Sequence, residues 1–128
     1  MPLVKVSLLK GRSIEEKKAL LDAIHAALLD AFKIPEDDRS QRIFEFEPEN
    51  FDIPEEKTSN YTMIEIDVFP GRSLDAKRKL YQKIVQNLNE QIQPNDILVV
   101  LKEPPLDNWG VRGGMPASEI DLGFKLDV

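Results

Sequence analysis

Cysteine is absent from the 128 residues, histidine and tryptophan occur once each, and no apolar run approaches a membrane span. Without thiols there is no disulfide scaffold and no thiolate-ligated metal. A single imidazole, His25, argues against a metal site built on several histidines and against a Ser-His-Asp relay. A spanning helix needs about 20 consecutive apolar residues, and no signal-peptide pattern opens the sequence, so a cytoplasmic location without membrane association is expected. Positive charge is also scarce, with 17 Lys and Arg against 23 Asp and Glu for a net charge of -6. Nucleic-acid phosphate calls for clustered Lys and Arg, so nucleic acid is not an expected partner. What remains is 41% apolar and 31% charged, enough for one domain over residues 1–128 with a real core. Any catalysis has to come from ordinary side chains and the amino terminus, with no metal and no cofactor expected.

The sequence repeats itself. Gly11-Arg12-Ser13 recurs sixty positions later as Gly71-Arg72-Ser73, and at the same offset Lys17, Leu20, Ile24 and Leu28 match Lys77, Leu80, Ile84 and Leu88. Each triplet follows an alternating stretch, Leu3–Leu9 in one copy and Met63–Phe69 in the other, which reads as a strand. After each triplet the period becomes helical. Ile14, Leu20, Leu21, Ile24, Leu28 and Phe32 share one face, as do Leu74, Leu80, Tyr81, Ile84, Leu88 and Ile92. Ser13 with Glu16 forms a capping box, and Ser73 caps the second helix with Asp75 in its first turn. Both helices stop before a proline, Pro35 or Pro94, and a further strand follows at Ile43–Phe46 or Ile97–Leu101.

The pattern is β-α-β twice: repeat 1 over 2–47, an acidic linker over 48–60, repeat 2 over 61–103 and a hairpin-forming tail over 104–128. Within the tail, Gly123–Val128 alternates like a short edge strand. Two such units side by side give an α/β (α+β) domain, a four-stranded sheet with both helices on one face. The uncovered sheet face then calls for oligomerisation.

A Met-Pro opening, a strand, Gly-Arg-Ser and a capped helix together resemble 4-oxalocrotonate tautomerase and its superfamily. Trp109-Gly110-Val111-Arg112-Gly113-Gly114 is similar to that family's aromatic-Gly-x-Gly-Gly hairpin with one residue added. The doubled length resembles the fused members, which form trimers of two-unit chains, so a homotrimer is implied. Pro35–Gln41 resembles the segment of malonate semialdehyde decarboxylases that holds their catalytic aspartate, and on that match the aspartate is Asp38. Those enzymes carry two arginines, one residue apart, before the second helix; here Pro70 stands in place of the first and Arg72 is the second.

The resemblance implies that Pro2 acts as the base once Met1 is removed, because a retained Met1 would make the Pro2 nitrogen an amide. An unperturbed α-amino group titrates at about 7.7–8.0, and apolar surroundings or a nearby guanidinium lower it further. A base poised near neutrality suits proton transfer beside a carbonyl. Arg12 lies more than ~20 Å along the strand from its own Pro2, at about 3.3 Å per residue. Antiparallel pairing of the two units instead carries Arg72 to Pro2 and sets Arg12 beside Tyr61-Thr62. Arg72 is therefore the expected grip on a substrate carboxylate. Trp109 and Phe124 are candidate pocket walls. Arg42, or equally Arg39, is a candidate second cation reaching across a subunit boundary, and Arg12 is a weaker candidate contact. The implied activity is cofactor-free keto–enol tautomerisation of a small 2-oxo or enol carboxylate. The alternatives are a decarboxylase- or hydratase-like lyase using Pro2 and Asp38, and a non-catalytic trimeric domain.

Overall fold

A computed structural model of the protein describes residues 2–128; Met1, whose removal the amine chemistry requires, lies outside them. Alternation forms β1 (Leu3–Leu9), along which Val4, Val6 and Leu8 point into the core. Ser13 starts α1 (Ile14–Phe32): its hydroxyl accepts from the Glu16 N–H at 3.0 Å, and the Glu16 carboxylate accepts from the Ser13 N–H at 2.9 Å. That exchange satisfies two N–H groups that lack an intrahelical partner. The helix ends at Lys33, in the left-handed region with φ 55°. β2 (Ser40–Phe46) then runs parallel to β1, with Leu3 opposite Ser40.

The second unit repeats the path through β3 (Thr62–Asp67), α2 (Leu74–Asn87) and β4 (Ile97–Lys102). β3 pairs parallel with β4 and antiparallel with β1, Leu3 standing opposite Asp67. The sheet order is β2-β1-β3-β4, which puts the first strand of each unit at the centre. Leu20, Ile24, Leu28 and Phe32 of α1 pack with Leu80 and Ile84 of α2 against Val6, Ile64 and Ile66 in one core. A short hairpin, β5 (Gly110–Val111) with β6 (Met115–Pro116), follows.

Three local expectations give way. Helical periodicity extends to Ile92, yet α2 stops at Asn87; Leu88 and Ile92 stay buried in a further turn, the Ile92 N–H donating to the Leu88 carbonyl at 2.8 Å. Ile14 and Leu74 are 78% and 67% exposed, because each opens its helix ahead of the turn that reaches the sheet. His25 is buried, and its Nε2 donates to the Glu36 carbonyl at 2.8 Å. The 123–128 segment forms no strand: it has no strand beside it, and the main-chain oxygen of Val128 binds Ser73 instead. The outer sheet face leaves Phe44, Leu98 and Val100 exposed, with Lys5 and Arg42 over the Phe44 ring.

Candidate active site

One end of the sheet gathers the residues of interest. Carried back one residue from Leu3, the two registers set Pro2 between Val68 on the β3 side and Arg39 on the β2 side, and Pro2 is buried there. Asp38 is the neighbour of Arg39 in the loop between α1 and β2. The Asp38 N–H donates to the Pro35 carbonyl at 3.0 Å. Three further bonds tie this stretch to α1: His25 to the Glu36 carbonyl, Arg39 Nη2 to Asp22 at 2.5 Å, and Gln41 Nε2 to the Leu21 carbonyl at 3.1 Å. Asp38 therefore sits on a loop held to the helix rather than on a free turn.

Arg72 enters from the other unit. Gly71, with φ 129°, turns the chain sharply after β3, and the arginine side chain folds inward to only 6% exposure. Its guanidinium carbon lies 4.8 Å from the centroid of the Phe32 ring and 5.9 Å from that of Phe124. Nη1 donates to the Phe69 carbonyl at 3.0 Å, while Nε and Nη2 are buried without a hydrogen-bond partner. Nε and Nη2 form one edge of the guanidinium fork, the geometry that takes a carboxylate with two parallel bonds. Burial pushes the Arg72 pKa below its usual value, opposed by the charges of Glu103 and Asp38. A guanidinium keeps its charge through such a shift.

A cavity of about 330 Å³ opens at this end of the molecule, walled by Asp37, Asp38, Phe69, Val111, Arg112 and Phe124 among others. Arg72 does not line it, but Phe69 and Phe124, which both touch Arg72, do. Trp109 is likewise one layer back. Its buried indole meets Phe69 edge-on, centroids 4.8 Å apart at 74°, and Nε1 donates to the Pro104 carbonyl at 3.0 Å. Trp109 thus bears on the cavity through Phe69.

The remaining candidates lie elsewhere. Arg12 is at the opposite end of the sheet, where Nη2 donates to the Asn60 carbonyl at 2.7 Å and to Thr62 Oγ1 at 2.8 Å. Thr62 is sixty positions from Pro2, so a buried hydroxyl occupies the place that the imino acid holds in the first unit. Nη1 of Arg12 is buried and unpartnered. Arg42 is exposed on the outer sheet face, 5.5 Å from the Phe44 centroid, and does not line the cavity. Asp38 and Phe124 therefore line the cavity, Arg72 and Trp109 reach it through Phe124 and Phe69, Pro2 stands at the same end of the sheet without lining it, and Arg12 and Arg42 lie elsewhere. Phe69 and Arg112 are among the cavity residues that the sequence did not single out. Phe69 ends an alternating stretch and looks like any strand residue; Arg112 sits inside the hairpin motif, and its position became informative only through its backbone, with φ 48°. Among the described residues no group of three or more His, Asp or Glu side chains is placed to hold a metal ion.

Comparison with known proteins agrees in direction. A family model described as "Tautomerase enzyme" matches residues 38–112, and a second one with the same description matches residues 2–58. The chain is similar to the probable tautomerase YrdN of Bacillus subtilis, at 30% identity over 85% of this chain and 89% of that one. Among solved structures it is similar to malonate semialdehyde decarboxylase, with 30% identity, 87% and 92% of the two chains covered and a TM-score of 0.79. A fused 4-OT solved as a symmetric trimer shares the fold at a TM-score of 0.81 and 23% identity, covering 91% of this chain and 96% of that one.

Proposed function

The chain belongs to the tautomerase family, and from that premise we propose that it is a cofactor-free isomerase of small 2-oxo or enol carboxylic acids. Arg72 is the observation that carries this reading: a nearly fully buried guanidinium whose Nε–Nη2 edge has no protein partner is preorganised for an anion. In this scheme the substrate carboxylate passes Phe124 and docks on that edge. The Pro2 amine, freed by loss of Met1 and kept unprotonated near neutral pH by burial, moves a proton between the α-carbon and the enol oxygen. Trp109 and Phe69 keep water away from the transfer, which strengthens each charge contact. The working form is a cytoplasmic homotrimer, in which neighbouring copies cover the exposed Phe44, Leu98 and Val100.

The test is the enol-to-keto conversion of phenylpyruvate, followed by absorbance on protein whose mass shows Met1 removed. Loss of a general base lowers rates about 10²–10⁴-fold, and Pro2→Ala is expected to fall in that range. Arg72→Lys, which keeps charge but not the fork, should raise KM more than it lowers kcat. An unchanged rate in Pro2→Ala removes Pro2 as the base.

A second reading, a lyase of the malonate semialdehyde decarboxylase kind, is favoured by Asp38: it lines the cavity, and its charge acts on Arg72. Pro70 in place of the paired arginine weighs against it. Aldehyde formation from malonate semialdehyde that disappears in Asp38→Asn would promote this lyase over the isomerase. Full inertness toward both acids, with Met1 absent, leaves the non-catalytic trimer.

A further inference from the structure

Resting on the tautomerase reading, we propose that Arg112 is a specificity residue: its guanidinium meets the end of the acid that points away from Arg72, favouring substrates with a second acceptor oxygen there. Three observations carry this. Of the charged residues lining the cavity, Asp37 and Asp38 are acids and Arg112 alone is a cation. Two carboxylates repel an incoming acid, so entry needs a positive charge at the same opening.

Second, the backbone at Arg112 is costly for an arginine. It adopts φ 48°, a conformation in which asparagine or glycine fits with less strain, and the two following residues are in fact glycines with φ 78° and 110°. The side chain is exposed and fills no core, so packing does not explain its presence. Strain kept at a cavity wall points to use.

Third, the guanidinium is held in place. Nη2 donates to the Asp121 carbonyl at 3.0 Å, tying the hairpin to the segment that supplies Leu122 and Phe124 on the facing wall. That single bond leaves most of its five N–H donors for a ligand. Phe124 links the two arginines: its ring centroid lies 5.9 Å from the Arg72 guanidinium, and it lines the same cavity as Arg112. In this proposal an acid with one carboxylate on Arg72 holds its other end in the cavity that Arg112 lines.

Succinate and butyrate have the same carbon count and differ in the second carboxylate. Their binding, titrated by NMR with wild type and Arg112→Asn, tests the proposal without requiring turnover. Asparagine suits the left-handed backbone, so Tm should hold or rise while succinate affinity falls about tenfold and butyrate affinity changes less than twofold. Raising salt should erase the wild-type preference for succinate. Equal losses for both acids, or no loss for either, overturn the proposal. Pro2→Ala kinetics judge the tautomerase reading separately, so the two can fail independently.

Discussion

Ser73 donates both its main-chain N–H, at 3.0 Å, and its hydroxyl, at 2.8 Å, to the main-chain oxygen of Val128. The same hydroxyl accepts from the Ala76 N–H at 3.1 Å, so one residue caps α2 and anchors the tail. Its counterpart Ser13 spends its N–H on the Glu16 carboxylate instead. The tail held by Ser73 crosses Gly71 and brings Phe124 against Arg72. The asymmetry between the units therefore starts at the helix cap.

Gly11 and Gly71 share nearly the same backbone, φ 128° and 129°, but a Cβ at Gly11 would meet open space, whereas one at Gly71 would lie 3.1 Å from Leu126 Cβ. Alanine at either should lose about 1–3 kcal/mol through backbone strain. Only Gly71→Ala should also unseat the tail, seen as faster amide exchange at Ser73 and lower kcat/KM. Matching exchange and activity in the two variants would show that the Leu126 contact has no role.

Trp109 packs on Phe69 and bonds the Pro104 carbonyl. Trp109→Ala should cost about 3–5 kcal/mol by emptying this cluster. Trp109→Phe, which retains most of the ring, should cost about 1–2 kcal/mol for the abandoned carbonyl, with kcat/KM within tenfold of wild type. Urea unfolding beside the enol assay checks both. Because Trp109 is the sole tryptophan, its fluorescence in wild type should also respond when an acid fills the cavity.

Asp96 gives the fold an acid limit. Burial acts to raise its pKa, but hydrogen bonds from the Thr58 hydroxyl, the Thr58 N–H at 2.9 Å and Gln93 Nε2 at 3.2 Å outweigh it and hold the carboxyl below the usual range. A carboxyl whose folded pKa lies below its unfolded value, about 3.9, stabilises the protein above that value and loses the contribution as pH falls through the folded pKa. Thr58→Val should therefore cost about 1–2 kcal/mol at pH 7. The gap from wild type should narrow at pH 3. Urea titrations showing an equal gap at both pH values would rule out this carboxylate as the cause.

Period and punctuation were enough to read β1 as Leu3–Leu9, both serine caps, the β-α-β order and the duplication, because each depends on neighbours within a turn or a strand. The antiparallel pairing of β1 with β3, which sets Arg12 beside Thr62, also followed from strand rise and symmetry. Phe69 and Arg112 were not legible, since nothing in their local spacing separates a cavity wall from an ordinary strand or hairpin residue.

Arg12 and Arg72 mark the boundary between the two kinds of knowledge. Both sit in the same Gly-Arg-Ser triplet, before the same kind of capped helix, and local chemistry treats them alike. Tertiary packing separates them. Arg12 meets Asn60 and Thr62, which occupy its Nη2, whereas Arg72 meets the rings of Phe32 and Phe124, which offer no acceptor to its Nε and Nη2, and spends only Nη1 on the Phe69 carbonyl. A buried donor edge acquires its character from what surrounds it, and those surroundings come from segments up to about half the chain away.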